Sequence, residues 1–146
     1  MKKIMIGLFT AWAVSQALAS EGVWLTDLPK ALEKAKADKK MVLLDFTGSD
    51  WCGWCKRLDK EVFSTTEFKE YVTKNLVLVE VDFPNQKKLS PELKKANDGL
   101  KNKYKVDGFP TLVVLNDEGR EIGRQVGYFE GGTKAFIAKL ETFKKK

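Results

Sequence analysis

Two cysteines follow closely on a run of apolar residues, and this junction restricts the possible folds more than any other part of the chain. The run, Met41 to Thr47, contains one charged residue, Asp45. It is bounded by charged residues before it and by Gly48-Ser49-Asp50 after it, which predicts a central strand buried on both faces. Cys52 and Cys55, the only cysteines, then open a helical pattern. The chain therefore places a pair of thiols just beyond an inner strand, at a helix start.

The spacing of the cysteines favours redox chemistry over two alternatives. Two thiols on one helical turn can close a small disulfide ring, and a thiolate at a helix start is stabilised by free N–H groups and the helix dipole. A purely structural disulfide is the first alternative, but so short a loop constrains the unfolded chain little. A closed zinc site is the second, but it normally needs four ligands, so we expect no metal.

The composition excludes several other kinds of chemistry. The 146 residues include no histidine, which removes the commonest general base and the commonest transition-metal ligand. The formal net charge of +6 is spread over lysines that alternate with acidic residues. That pattern is typical of a solvated surface rather than of a nucleic-acid interface. We expect one soluble domain that binds no nucleic acid and needs no cofactor besides its cysteine pair.

The first 19 residues have the pattern of a secretory signal peptide. Two lysines precede an uncharged stretch from Ile4 to Val14, and Ala17-Leu18-Ala19 forms a small-x-small cleavage site. The apolar stretch is too short for a comfortable membrane span, although an uncleaved N-terminal anchor is the alternative. We expect cleavage after Ala19 and export of residues 20–146 to the bacterial periplasm, without stable insertion into the membrane. In that oxidising compartment a lone cysteine pair is normally structural or catalytic.

The rest of the pattern predicts alternating helices and strands. Helices are predicted over residues 28–38, 52–62, 65–73 and 91–103 and after Thr133, and strands over 21–25, 41–47, 76–83, 112–115 and 121–126. The helix starts carry capping signals, which are Thr26 or Asp27, the capping box Ser64 to Glu67, Ser90 with Pro91, and Thr133. This order predicts an α/β domain with a mixed sheet and helices on both faces.

Three segments carry a resemblance to a known family. Val42 to Phe46 with Trp51 to Lys56 resembles the thioredoxin superfamily, and Val106 to Leu112 looks like that family's cis-proline loop. Leu58 to Ser64 is similar to periplasmic thioredoxin-like proteins and to the soluble C-terminal domain of the membrane thiol reductase that supplies periplasmic electrons. The resemblance spans roughly residues 24–143 and implies a thioredoxin-like α/β fold with a central mixed sheet.

The resemblance implies roles for the matching residues. Cys52 would be the attacking thiolate and the more exposed of the pair, and Cys55 the more buried resolving thiol. Pro110 would follow a cis peptide bond that faces the disulfide, which leaves the Phe109 backbone free to pair with an extended substrate. Asp45 matches the buried acid that exchanges a proton with the resolving cysteine, which makes it the third catalytic residue.

The acidic residues around the cysteines depart from the thioredoxin pattern. Asp45 lies one residue further from Cys52 than in thioredoxin, so Asp50 competes for its role. Glu80 stands where thioredoxin has a lysine, and two carboxyl groups there would raise each other's pKa. A carboxylate in a core strand is costly when it is ionised and unpaired, so the pKa of Asp45 is expected to rise. The alternative is that Asp45 reaches solvent at a strand edge.

The residues beside the cysteines are predicted to contact substrate. This set comprises Trp51, Gly53, Trp54, Phe109 and Pro110. Ordinary packing is the alternative for both tryptophans, and Phe109 is either a groove residue or a core residue. Gly127, after the last strand, either lines the same groove or only forms the turn toward the final helix.

The predicted function is thiol–disulfide exchange through a redox-active Cys52–Cys55 disulfide. Gly53-Trp54, between the cysteines, carries no charge, which favours a protein-disulfide reductase or a reductase-like isomerase over a strong oxidant. Expected partners are protein disulfides and a membrane thiol reductase as electron donor, and we expect a monomer. The alternative is a binding or chaperone module of the same fold with an incidental disulfide.

Overall fold

The computed structural model describes residues 22–146. The predicted signal peptide lies outside this range. In chain order the elements are β1 (Trp24–Leu25), α1 (Leu28–Asp38), β2 (Met41–Thr47), α2 (Gly53–Leu58), a π-helical turn (Asp59–Phe63), α3 (Thr66–Asn75), β3 (Leu76–Asp82), α4 (Pro91–Lys103), β4 (Thr111–Leu115), β5 (Glu121–Val126) and α5 (Gly132–Lys144).

The five strands form one mixed sheet in the order β1-β3-β2-β4-β5. The central strand β2 pairs in parallel with β3 and antiparallel with β4. β1 adds to β3 in parallel, and β5 returns antiparallel against β4 after a hairpin. The structure therefore confirms the predicted mixed sheet, with the strand that precedes the cysteines at its centre.

Helices cover both faces of the sheet, as predicted. On one face, α1 and the C-terminal end of α4 pack on apolar residues of the strands, and on the other face α2, α3 and α5 do so. Successive side chains of β2 alternate between these faces. Leu44 and Phe46 belong to the α1/α4 core and Leu43 to the α2/α3/α5 core. Asp45 therefore points to the face covered by α2, the helix that carries Cys55.

Two helices begin at the predicted caps. The Asp27 carboxylate accepts a hydrogen bond from the Lys30 N–H at 3.0 Å, and the Ser90 hydroxyl accepts one from the Leu93 N–H at 3.2 Å. Pro91 occupies the first turn of α4, where its missing N–H costs no helical hydrogen bond. These local signals mark where α1 and α4 begin.

The helix after the cysteines differs from its prediction. A single α-helix was expected to Val62, but α2 ends at Leu58 and continues as a π-helical turn to Phe63. The Ser64 N–H donates across this turn to the Asp59 carbonyl at 2.8 Å. Val62 and Phe63 are both buried in this turn.

Two of the predicted caps are wrong. α3 is capped by Thr65 rather than Ser64, because the Thr65 hydroxyl accepts from the Phe68 N–H at 3.3 Å. Phe63 and Phe68 nevertheless pack with ring centroids 5.2 Å apart. Thr133 lies inside α5, and its hydroxyl bonds to the Glu61 carbonyl and the Thr65 hydroxyl instead. The Thr133 hydroxyl therefore connects α5 to the π-helical turn.

Candidate redox site

The two cysteines form a disulfide at the start of α2. Cys52 is the N-cap residue, and its Sγ accepts a hydrogen bond from the Cys55 N–H at 3.2 Å. The Cys52 N–H donates to the Gly48 carbonyl at 2.8 Å, which closes the loop between β2 and α2. After reduction, the same backbone N–H would stabilise a thiolate on Cys52.

The expected difference in exposure between the cysteines is absent. Cys52 is 6% exposed and Cys55 5%, so the prediction that Cys52 is the more exposed residue is wrong for the oxidised protein. Both cysteines are almost fully buried in the oxidised protein. Access for a substrate therefore depends on the residues around the disulfide.

The loop before β4 approaches the residue before Cys52 through Phe109. The peptide bond between Phe109 and Pro110 is cis, and the Pro110 carbonyl accepts from the Gly127 N–H at 2.8 Å. Phe109 packs edge-on against Trp51, with centroids 5.9 Å apart, and stacks on Phe83 at 5.1 Å. It is partly buried against the core and also lines a surface groove, so the two interpretations of Phe109 are compatible.

The two tryptophans beside the cysteines are packed and exposed at once. Trp51 is 45% exposed and donates its indole N–H to the Phe83 carbonyl at 2.7 Å. Trp54 is 55% exposed and lies 5.2 Å from the Tyr128 ring, with the Arg57 guanidinium over both rings. Large exposed apolar side chains at a reactive site are typical of a contact surface. Gly53 between them leaves open space, since a Cβ there would meet no atom within 4 Å.

Asp45 and Cys55 line one cavity of about 240 Å³. We call it the acidic cavity, and the residues that line it are Asp45, Thr47, Ser49, Cys55, Lys56, Asp59 and Glu80. Asp45 is only 9% exposed, and its Oδ1 has no hydrogen-bond partner among residues 22–146. Burial, followed by repulsion from Glu80, Asp59 and Asp82, raises the pKa of Asp45 to about 8. The predicted rise is thus confirmed, and Asp45 does not reach solvent at a strand edge.

Glu80 is the partner of Asp45 on the neighbouring parallel strand. Partial burial raises the pKa of Glu80, and repulsion from Asp82 adds to this rise while Lys87 opposes it. The expected mutual effect of the two acids is one-sided. Glu80 raises the pKa of Asp45, but Asp45 is not among the causes of the Glu80 shift, as expected for a neighbour that is uncharged when Glu80 titrates.

Asp50 does not line the acidic cavity, so the structure gives no support to it as a competitor for the role of Asp45. Its carboxylate accepts hydrogen bonds from the N–H groups of Asn85, Gln86 and Lys87 at 2.7–2.8 Å. Hydrogen bonds from Asn85 and Lys87 are the main causes that lower its pKa. Asp50 therefore connects the loop between β2 and α2, called here the cysteine loop, to the loop after β3.

Asp82 makes a second connection between these loops, which the sequence interpretation missed. Its buried carboxylate accepts from the Ser49 N–H at 2.9 Å and from the Ser49 hydroxyl at 2.5 Å. The Asp82 carbonyl accepts from the Asn97 side chain at 2.9 Å, which adds α4 to the connection. An acid at the very end of a core strand, two residues before Pro84, was the available signal.

Among residues 22–146, no group of three or more His, Cys, Asp or Glu side chains is arranged to hold a metal ion. Within the same range, no helix combines the length and the apolar character that crossing a membrane requires.

Comparisons with known proteins agree on one family. The thioredoxin-like domain family matches residues 28–144. The chain is 37% identical to the disulfide bond reductase DsbH of Chlamydia pneumoniae over 128 residues, which are 88% of this chain and 76% of that protein. It is 32% identical over 113 residues to the thiol:disulfide interchange protein DsbD of Vibrio cholerae, covering 77% of this chain but only 17% of DsbD.

Solved structures give the same result. A structure described as DsbH oxidoreductase matches with a TM-score of 0.78 and 39% identity, over 84% of each chain. A disulphide isomerase from Xylella fastidiosa matches with a TM-score of 0.54 and 26% identity, over 74% of this chain and 75% of that one. The chain therefore belongs to the thioredoxin-like family, as a thiol–disulfide oxidoreductase with a Cys-x-x-Cys disulfide at the start of α2.

Proposed function

We propose that this protein reduces disulfide bonds in exported proteins, with Cys52 as the attacking thiol and Cys55 as the resolving thiol. The observation that carries the proposal is the position of the disulfide. It stands at a helix start beside two exposed tryptophans, and Cys55 shares a cavity with the unpartnered carboxyl group of Asp45.

The first step is attack by the reduced Cys52 on a substrate disulfide. The Cys52 thiolate forms a bond to one substrate sulfur, and the second substrate sulfur leaves as a thiolate and takes up a proton. Cys52 is suited to this step because, as N-cap residue, it lies next to the free N–H groups of α2. The exposed Trp51 and Trp54 supply apolar contact to the bound substrate.

The second step closes the disulfide of the enzyme. Cys55 passes its proton to Asp45, and its thiolate attacks the Cys52 Sγ, which releases the remaining substrate sulfur as a thiolate. This thiolate takes up a proton from solvent, Asp45 returns its proton to solvent, and two electrons have then moved to the substrate. The pKa of about 8 for Asp45 lies close to that of an ordinary thiol, so proton transfer between the two groups is nearly balanced.

The charges around the cysteines support reduction rather than strong oxidation. No cation lies between the cysteines to stabilise the reduced form. The ammonium group of Lys56 donates to the Asp50 carbonyl at 3.2 Å, and Arg57 is paired with Glu61 at 2.8 Å. Both neighbouring cations are therefore engaged with other groups. The name of the related DsbH as a disulfide bond reductase agrees with this direction.

The proposed compartment is the periplasm, because residues 1–19 have the pattern of a cleaved signal peptide. A reductase in an oxidising compartment needs a supply of electrons, and the similarity to part of DsbD supports a membrane thiol reductase as donor. The protein would act as a monomer. It would need no metal or added cofactor, since the cysteines themselves carry the electrons.

Insulin reduction with dithiothreitol tests the proposal. The wild type should accelerate the reaction, and Cys52→Ser should abolish the acceleration. A redox titration against glutathione should give a potential nearer about −270 mV than about −120 mV, the value of a strong oxidant. If the wild type shows no turnover while Cys52→Ser keeps full activity in the cell, the protein is a binding module with an incidental disulfide.

A further inference from the structure

A groove of about 510 Å³ opens beside the disulfide loop, on the α4 face of the sheet. Its apolar wall consists of Trp51, Phe83 and Phe109, whose rings pack on one another at 5.1–5.9 Å. Trp51 immediately precedes Cys52, and Phe109 immediately precedes Pro110. A polypeptide held at the disulfide can therefore continue directly into this groove.

Four lysines line the groove, which we call the lysine groove: Lys87, Lys88, Lys94 and Lys101. Lys94 is neutralised by Asp98 at 2.9 Å, and Lys87 lies 3.9 Å from Asp82. Asp82 is already engaged by two hydrogen bonds from Ser49. The groove therefore keeps a surplus of positive charge.

Lys88 and Lys101 carry most of this surplus. Neither forms an ion pair with any residue in the part of the chain that the structure describes. The ammonium group of Lys101 lies 6.0 Å from the Phe83 centroid and 5.8 Å from the Phe109 centroid. These cation–π contacts hold a positive charge directly over the apolar wall.

The wall of the groove is fixed before any ligand binds. Asp50 holds the N–H groups of residues 85–87, and Asp82 joins the cysteine loop to α4 through Ser49 and Asn97. A preformed site loses less conformational entropy on binding than a flexible one. Both connections thus hold the lysines and aromatic rings in one arrangement.

We infer that the lysine groove selects protein disulfides whose cysteine is flanked by a carboxylate and an apolar side chain. The apolar side chain packs on the Phe83 and Phe109 rings, and the carboxylate meets Lys88 and Lys101. This inference rests on the proposed reduction through Cys52. It adds a substrate class to that function, namely polypeptide segments that are acidic next to the reactive disulfide.

Two peptides that differ only in charge test the inference. Each is closed by one disulfide and carries a leucine beside the cysteine, followed by two Glu in one peptide and two Lys in the other. Reduced protein, freed of reductant, is mixed with each peptide, and quenched samples give the second-order rate of oxidation of Cys52 and Cys55. We expect the Glu peptide to react about tenfold faster at low salt, and the ratio to fall as salt rises.

Substitutions of lysines test whether the preference for the Glu peptide arises in the lysine groove. Lys88→Glu with Lys101→Glu should reverse the preference, and Lys88→Glu alone, in an exposed loop, should reduce it. Lys95→Glu is the matched control, because Lys95 is exposed on α4, the helix of Lys101, but does not line the groove. It should leave the preference unchanged.

The outcomes separate the inference from the proposed function. Equal rates on the two peptides, or an unchanged preference in the lysine variants, would overturn the role of the lysine groove while leaving the reductase intact. Failure to reduce either peptide would overturn the proposed function, and the groove inference with it. A preference that disappears equally in Lys95→Glu would show a general effect of net charge, which also overturns the inference.

Discussion

The acidic cavity and the lysine groove adjoin the same disulfide loop but lie on different faces of the sheet. The cavity lies under α2 and collects three carboxyl groups, of Asp45, Asp59 and Glu80. The groove lies against α4 and collects four lysines around Trp51, Phe83 and Phe109. The one buried acid of the cavity is Asp45, whereas the lysines of the groove keep contact with water.

This difference separates two tasks. In a buried environment a charge interacts strongly with its neighbours and the ionised form is costly, so the pKa of Asp45 moves close to that of a thiol. At the surface, lysines keep their charge and act over a distance that salt screens. The cavity is suited to proton transfer with Cys55, and the groove to the choice of substrate.

The largest expected effect concerns the cost of burying Asp45, tested by Asp45→Leu. Because the folded-state pKa is raised from 3.8 to about 8, the cost of ionising Asp45 in the folded protein is small up to about pH 4 and grows as pH rises toward 8. The stability of the wild type should therefore fall relative to the variant by about 4 kcal/mol between pH 4 and pH 7. Urea unfolding of both oxidised proteins across this range measures the difference. A constant difference would contradict the raised pKa.

Asp45→Asn tests the same cavity in the reaction. An amide keeps the shape of the side chain but cannot accept the proton of Cys55, so closure of the enzyme disulfide should slow by about 10²-fold at pH 7. In the wild type the rate of this step should rise with pH through a midpoint near the Asp45 pKa. Rapid-quench measurement of mixed-disulfide decay follows the step. Decay at the wild-type rate in the variant would remove Asp45 from the mechanism.

Asp82→Ala tests the connection that supports the groove. The change leaves the Ser49 N–H and hydroxyl without their acceptor, which should lower the free energy of unfolding by about 2 kcal/mol. Asp98→Ala is the control, because its partner Lys94 is exposed and such surface pairs contribute about 0–1 kcal/mol. Thermal unfolding compares the two variants. Equal losses would show that the hydrogen bonds from Ser49 to Asp82 contribute no more than a surface ion pair.

Glu80→Gln should give the smallest effect. It removes one of the charges that repel the Asp45 carboxylate, so the pKa of Asp45 should fall, although burial, its main cause, remains. The pH midpoint of the resolving step should then shift to lower pH. Glu70→Gln, an exposed acid on α3, should leave the midpoint in place. A midpoint that stays fixed in Glu80→Gln would mean that the two strands' acids do not interact.

The sequence was sufficient for features that depend on neighbours along the chain. The run from Met41 to Thr47 predicted the central strand, and the cysteine spacing predicted the disulfide at a helix start. The burial of Asp45 followed from its place in that strand, because a residue inside a two-sided core strand has little access to water. The resemblance to thioredoxin added the proline loop at Pro110.

Features that depend on distant segments were not predicted. Asp82 and Ser49 meet only because β3 pairs with β2. Asp50 was considered as a competitor of Asp45 for proton transfer because its partners at residues 85–87 could not be foreseen. The lysine groove joins a loop, a helix and three aromatic rings that are far apart in sequence. Periodicity carries no signal for such contacts, since it reports only which face of an element is apolar.

The central claim is that Cys52 attacks and Cys55 resolves. Its most direct test is the Cys55→Ser variant, expressed with its N-terminal segment in bacteria and isolated under acid quench. The account predicts that mixed disulfides to other proteins accumulate through Cys52, since the resolving step is blocked, and mass spectrometry identifies the bonded cysteine. The absence of mixed disulfides in Cys55→Ser, or their accumulation through Cys55 in Cys52→Ser instead, would contradict it.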